Sequence, residues 1–317
     1  MNIDVFNGDA DGICSLIQLR LAYPLESRLV TGVKRDIGLL NRVVATRGDD
    51  VVVLDVSLDR NRAPLLGLLA EGVRIFYMDH HYSGEIPGNP YLTAWIDTDA
   101  NVCTSLLMDR YLGSRYTAWA IAGAFGDNLR GAACELAKQL NISARELHDL
   151  EQLGVCVNYN GYGNDISDLH MAPDLLYQEL KNYCSPLTFI SEKFELYRQL
   201  CDGYFSDLNL ANDADVEYVT SKVAVYVLPN EKWARRVSGV WANALTNQYP
   251  DRAHAVLTLN GVGGYQVSLR APLVNKWGAD LVCAQFGGGG RKAAAGIDNL
   301  PGNELKRFVD VMVNQFL

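Results

Sequence analysis

Two spacings of apolar positions alternate along the first hundred residues. Short runs rich in β-branched and aromatic residues, Ile3-Asp4-Val5-Phe6, Leu29 to Val33, Val51-Val52-Val53-Leu54 and Val73-Arg74-Ile75-Phe76-Tyr77-Met78, read as strands. The nearly continuous apolar character of the later runs predicts strands buried on both faces. Between them, helical spacing is carried by Leu16, Ile17 and Leu19, by Ile37 to Ala45, and by residues 60 to 71. Strand and helix in strict alternation predict right-handed βαβ units, hence an α/β domain with a mainly parallel sheet and helices on both faces.

The pattern then changes. Residues from about 103 to 153 and from 172 to 211 carry only helical spacing. A second, smaller α/β unit is expected to begin with the strand-like stretch Val216 to Val227, to include the strand Tyr265 to Arg270, and to end in a helix through Leu305, Phe308, Val309 and Met312. The expected division is a first domain with its helical extension at 1–200, a polar acidic linker at 201–214, and a second domain at 215–317.

Polar residues collect where the first domain's strands end. Asn7-Gly8-Asp9-Ala10-Asp11-Gly12 follows the first strand, Asp55 closes the third, and Asp79-His80-His81 closes the fourth. In open α/β sheets this edge is where ligands bind. Side chains alternate along an extended backbone, so His80 and His81 are expected to point to different places. A fourth carboxylate, Asp127, ends the apolar helix through Trp119, Ile121 and Ala122. Each feature alone also fits a helix cap or an Asx-turn; it is their number along one edge that argues for a site. Asp9-Ala10-Asp11-Gly12 is not a calcium loop, because Leu19, Arg20 and Leu21 stand where the bidentate Glu is needed.

Asp9, Asp11, Asp55, His80 and Asp127 offer oxygen and imidazole donors without a thiolate. Such a set suits manganese or magnesium, then iron or cobalt, and not structural zinc. Carboxylates gathered this closely repel each other unless cations intervene. Two divalent ions roughly 3.5–4 Å apart would need a bridging carboxylate, for which Asp55 on the central strand is the candidate.

Two further stretches draw attention. Asn158-Tyr159-Asn160-Gly161-Tyr162-Gly163-Asn164 reads either as a base-stacking or phosphate-contacting loop or as an ordinary turn. Phe286-Gly287-Gly288-Gly289-Gly290-Arg291-Lys292 precedes an alanine run. Backbone N–H groups of Gly288, Gly289 and Gly290 with the charges of Arg291 and Lys292 could bind an anion, or the glycines could serve close packing. It is not a nucleotide P-loop, because Gly-Lys-Ser/Thr is missing.

Composition narrows the field. The chain has 317 residues, 49% hydrophobic and 21% charged, enough for two cores, and a net charge of −9 that speaks against a broad nucleic-acid surface. Its 7 cysteines include no Cys-x-x-Cys pair, against a disulfide framework and against zinc-thiolate chemistry. No apolar run reaches the roughly 20 residues of a membrane helix, and no signal segment opens the chain, so a cytoplasmic protein without membrane contact is expected.

Together Asn-Gly-Asp-Ala-Asp-Gly at 7–12, Leu-Asp at 54–55, Asp-His-His at 79–81 and Gly-Asp at 126–127 resemble the metal motifs of the DHH phosphoesterases. The stretch from Gly288 to Gly296 resembles the glycine-rich signature of their DHH-associated C-terminal domain. The resemblance implies a manganese-dependent phosphoesterase, with magnesium or cobalt as alternatives and the active site in the cleft between the two domains. Asp9 and Asp55 would hold one ion, and Asp11, Asp55, His80 and Asp127 the other. His81 would face the scissile phosphate, and Arg270 with Gly288, Gly289, Gly290, Arg291 and Lys292 would bind the far end of the substrate. Short oligonucleotides or small nucleotides are the expected substrates. The alternatives are pyrophosphate or polyphosphate hydrolysis and a nucleotide-binding regulatory module without turnover; a homodimer is left open. Three positions depart from the family pattern: Val5 and Asn7, where many members have His or Asp, and Arg291, where the signature has His. The first two weaken the first ion's site, and Arg291 bears on substrate preference.

Overall fold

Faces alternate along β1 (Asn2–Phe6), and this fixes the first layers of the fold. Ile3 and Val5 join Val51 and Val53 of β3 (Asp50–Leu54), Ile75 and Tyr77 of β4 (Arg74–Asp79), and Leu65, Leu68 and Leu69 of helix α2 (Arg62–Ala70) in one buried core. On the other face, Asp4 is fully buried and paired to Arg20 of α1 (Ala10–Ala22), whose Nε donates at 2.8 Å, while Ser27 Oγ donates at 2.6 Å. With β2 (Arg28–Val30) and β5 (Leu92–Ile96), the five strands form an all-parallel sheet in the order β2-β1-β3-β4-β5, with helices on both sides. The order reverses direction between β1 and β3, the position at which such sheets open a crevice.

This is a computed structural model; it describes residues 1–317, in two compact units, Met1–Gly203 and Tyr204–Leu317. The remainder of the first unit is helical: α3 (Thr104–Tyr111), α4 (Thr117–Gly126), α5 (Arg130–Ala137), α6 (Ala144–Asn160), α7 (Pro173–Leu180), α8 (Pro186–Glu192) and the start of α9 (Phe194–Asn212). α4 is buried on every side and packs closely against its neighbours. A Cβ at Gly126 would lie 2.3 Å from Ala10 Cβ, and one at Gly154 would lie 2.1 Å from the Ala122 carbonyl. Only glycine admits this approach, and it sets the depth at which Asp127, the residue capping α4, meets the sheet edge.

In the second unit β6 (Asp215–Val219), β7 (Val223–Leu228), β8 (Ala253–Leu259), β9 (Gly264–Arg270), β10 (Gly289–Arg291) and β11 (Ala294–Pro301) form a mixed sheet in the order β10-β11-β9-β8-β7-β6. Its core gathers Val225, Ala255, Leu257 and Leu269 with Val282 of α11 (Ala279–Ala284) and Phe308 and Met312 of α12 (Leu305–Phe316). Helix α10 (Lys232–Gln248) packs Val237, Trp241 and Leu245 against Leu228 and Val256. No helix of either unit is long and apolar enough to cross a membrane.

Several local expectations differ from the structure. Most of 201–214 lies within α9, and the units divide at Gly203 and Tyr204. The stretch 37–45 holds only a 3₁₀ turn, Leu39–Arg42, with Leu39 and Leu40 fully buried and Val43 and Ala45 packing partly buried beyond it. Val216 to Val227 is two antiparallel strands, β6 and β7, rather than one. Of the alanine run after Lys292, Ala294 and Ala295 begin β11, their backbone pairing with both β10 and β9.

Candidate metal centre

Three strand ends and one helix end meet at the crevice. Asn7, Asp9, Lys34, Asp36, Ile37, Asp55, Val56, Ser57, His80, His81 and Asp127 line one pocket. Among them, Asp9 and Asp55 are each 2% exposed, and Asp11 behind them 1%. Asp55 has φ 58°, a left-handed conformation uncommon outside glycine, which turns its carboxylate back over the end of β3.

His80 is the meeting point. Its Nε2 lies 3.5 Å from Asp55 Oδ1, 3.8 Å from Asp127 Oδ2 and 3.9 Å from Asp11 Oδ2. Ligand atoms about 2.1 Å from an octahedral ion stand roughly 3.0 Å apart when adjacent and 4.2 Å when opposite. The observed spacings fall between those limits, so this donor set fits a single hard divalent ion. Asp11, His80 and Asp127 offer ligand atoms within 4.8 Å of one another, and so do Asp55, His80 and His81.

The carboxylates differ in what already holds them. Asp11 accepts the backbone N–H groups of Thr104 and Ser105, each at 2.7 Å, at the positive end of α3. Each of its oxygens keeps a second lone pair for a ligand. Asp55 receives only Thr104 Oγ1, at 3.5 Å; burial and then the charges of Asp9, Asp11, Asp79 and Asp127 push its carboxyl well above the usual range. Burial and Asp11 push Asp127 up to about 6, against the opposing pull of Lys34.

Asp9 is the exception. Burial pushes its carboxyl up, but the adjacent Lys34 ammonium and the Gly12 N–H outweigh this and hold it below the usual value. Lys34 Nζ donates to Asp9 Oδ2 at 2.6 Å and to Asn158 Oδ1 at 2.9 Å, and it stands 3.7 Å from Asp127 Oδ1. The other Asp9 oxygen accepts Gly12 N–H at 3.1 Å, capping α1. Val5 faces the α2 core and offers nothing to the pocket.

His81 Nδ1 donates to Asp79 Oδ1 at 2.7 Å, and this hydrogen bond raises the imidazole's pKa. Both histidines approach Asp55 Oδ1, His81 at 3.8 Å, with ring centroids 4.4 Å apart. The expected divergence of the pair is not seen, because β4 ends at Asp79 and alternation ends with it.

Four of the five residues expected as metal ligands, Asp9, Asp55, His80 and Asp127, line the pocket with His81, and the fifth, Asp11, lies behind them within 3.9 Å of His80 Nε2. Sequence reasoning missed Lys34, Asp79, Asn158 and Thr104. Lys34 lies four residues beyond the end of β2, on the same edge as the motifs, and that position was the available signal. Residues 158–160 are the last turn of α6 rather than a loop, and they approach the site through Asn158.

In the second unit, Arg291 pairs with Ala294, Ala294 with Arg270, and Arg270 with His254, a row along one level of the sheet. Arg270 lies on α10, its Nε donating to Asn243 Oδ1 at 2.5 Å and Nη2 to the Gly239 carbonyl at 3.2 Å. Arg291 and Lys292 are exposed at the hairpin. The hairpin itself requires two of its glycines. A Cβ at Gly288 would lie 2.2 Å from the Gly296 carbonyl, and Gly290 has φ 147°; Gly289 stands open.

No family model matches the sequence, and no curated protein matches it. Among solved structures, the chain is similar to a DHH domain described as a member of the s1p family of ribosomal proteins, at 13% identity and TM-score 0.69, over 99% of this chain and 85% of that one. It is similar to the exonuclease RecJ bound to manganese at 16% identity and TM-score 0.62, over 98% and 89%. It is also similar to PggH, a pGpG-specific phosphodiesterase from Vibrio cholerae, at 13% identity and TM-score 0.57, over 99% and 98%. The chain therefore has the fold of the DHH-domain proteins.

Proposed function

We propose that the protein is a divalent-metal-dependent phosphoesterase that hydrolyses short oligonucleotides or small nucleotides. The observation that carries this reading is the convergence of Asp11, Asp55 and Asp127 on His80 Nε2, at 3.5 to 3.9 Å, on the ligand-binding edge of the sheet. The same fold in a manganese-bound exonuclease and in a dinucleotide phosphodiesterase supports it.

Asp11, Asp55, His80 and Asp127 would hold manganese, with magnesium or cobalt as substitutes. An ion bound there supplies polarisation of a phosphoryl oxygen and a water of lowered pKa. The remaining work belongs to the chain's own groups. Asp79 holds the His81 ring by Nδ1 and raises its pKa, leaving Nε2 to donate to a phosphoryl oxygen as charge builds there. Asp55, whose one hydrogen-bond donor is Thr104 Oγ1 at 3.5 Å and whose neighbours are anionic, is the group most dependent on a bound cation. In the second unit, Arg291, Lys292 and Arg270, with the backbone of Gly288, Gly289 and Gly290, would bind the substrate's far phosphate. Arginine serves this by a two-pronged hydrogen bond and not as a proton donor. A net charge of −9 and so compact a cationic group favour a short substrate over long nucleic acid.

The test is hydrolysis of short RNA, short DNA, a cyclic dinucleotide, a nucleoside 3′,5′-bisphosphate and pyrophosphate, each with manganese and with chelator. Chelator-sensitive nucleotide release from at least one ester is expected. Phosphate from pyrophosphate alone would replace the ester reading, and tight binding of a nucleotide without turnover would make the protein a regulatory module. Arg291→Ala should raise KM about three- to tenfold with kcat little changed; an unchanged KM removes Arg291 from the substrate site.

A further inference from the structure

We infer that the Lys34 ammonium occupies the place of a second metal ion, so that the pocket holds one divalent cation and one built-in organic cation. The inference rests on the metal-site reading above and specifies its stoichiometry.

The pocket has two sides. On the His80 side, Asp55, Asp127 and Asp11 converge on His80 Nε2 at 3.5, 3.8 and 3.9 Å. On the Asp9 side a cation is already in place. Lys34 Nζ lies 2.6 Å from Asp9 Oδ2, the carboxylate expected to share a second ion with Asp55, and 3.7 Å from Asp127 Oδ1. Each Asp9 oxygen accepts one hydrogen bond, one from the charged Lys34 ammonium and one from the Gly12 N–H, so that, unlike Asp11, its charge is already answered by a cation.

Lys34 is not a surface lysine that has folded inward. Its backbone N–H donates to the Gly161 carbonyl at 2.7 Å, its ammonium donates to Asn158 Oδ1 at 2.9 Å, and the Tyr162 ring centroid lies 5.9 Å from Nζ. Three elements thus hold it: the segment after β2, the N-terminus of α1 and the end of α6. An ammonium 2.6 Å from Asp9 repels a divalent ion brought to the same carboxylate and so opposes a second ion there. The rest of the Asp9 side is poor in donors. Val5 is buried against α2, and Asn7 brings an uncharged amide.

Calorimetric titration of the metal-free protein with manganese counts the ions, and electron paramagnetic resonance reads whether they are coupled. The wild type is expected to bind one Mn²⁺ per chain and to show an isolated-ion spectrum at millimolar excess. Asn7→Asp alone, which adds a carboxylate but leaves Lys34, should still bind one. Asn7→Asp combined with Lys34→Ala should bind two, with a spin-coupled spectrum and a second-ion affinity at least a hundredfold above that of Asn7→Asp. Two ions in the wild type or in Asn7→Asp would overturn the inference while leaving the metal site standing. One ion in the double variant, its fold verified by circular dichroism, would also overturn it. No manganese bound by the wild type would remove the metal-site reading and this inference with it. Because the wild-type count decides by itself, misfolding of a variant does not shelter the claim.

Discussion

The buried carboxylates Asp9 and Asp55 close two neighbouring strand ends of one sheet, yet they sit in opposite electrostatic states. Asp9 is capped, paired to an ammonium and held ionised. Asp55 has one weak hydroxyl contact, a left-handed backbone and four anionic neighbours, and it resists ionisation. Equal burial has therefore produced a finished ion pair on one side and an unfinished one on the other. A group that the fold leaves uncompensated is one that a ligand can complete. Asp4 is the reference for the finished kind: fully buried and joined to Arg20 by a two-pronged pair, it serves the fold. Breaking such a pair costs about 3–5 kcal/mol.

The largest effect should come from Asp55→Asn. Asparagine tolerates the left-handed backbone, so the fold survives, while manganese affinity should fall more than about a hundredfold and turnover about a thousandfold or more. Because repulsion from Asp9 and Asp11 is relieved, the melting temperature of the metal-free chain should hold or rise by ~2–4 °C. Near-normal turnover would erase the distinction between the two sides.

Next in size is His81→Ala, expected to lower kcat about 10²- to 10³-fold with manganese affinity nearly unchanged. An affinity loss matching that of His80→Ala would place His81 among the ligands.

Proton linkage gives a smaller and graded signal. Asp127 moves from 3.8 to about 6 on folding, so between those values the folded chain holds a proton that the unfolded chain has released. Stability of the metal-free protein should accordingly fall as pH rises from about 4 to about 6. Manganese displaces that proton, and its affinity should rise over the same window by up to about tenfold per pH unit. Thermal melts and metal titrations at stepped pH check both; a flat profile would return Asp127 to an ordinary carboxylate.

The smallest effect is expected at Asp9→Asn. The amide still caps α1, and only the pairing with Lys34 is weakened, so manganese affinity should change less than about tenfold. A loss as large as that of Asp55→Asn would show that Asp9 carries an ion after all.

Much of the molecule was legible without coordinates. Short β-branched and aromatic runs at Val51 to Leu54 and Val73 to Met78 read as strands, and their alternation with helices predicted the parallel sheet that the structure shows. A parallel sheet presents all its strand ends at one edge, so Asp9, Asp11, Asp55 and His80 were bound to be neighbours. Local spacing was less informative where burial decided. At 37–45 the helical pattern yielded a single 3₁₀ turn, and Ala294 and Ala295 became strand because their backbone pairs with strands on both sides.

The sequence by itself therefore determined which acidic and imidazole groups the protein has and the sheet edge on which they stand, because side-chain period and chain direction are local properties. Only the tertiary structure decided which of those charges are already answered. Lys34 reaches Asp9 across 25 residues and Asn158 holds Lys34 across 124, while Thr104 and Ser105 reach Asp11 across more than 90. Such neutralisation depends on distances of a few ångströms between elements remote in the chain, and no local pattern encodes them.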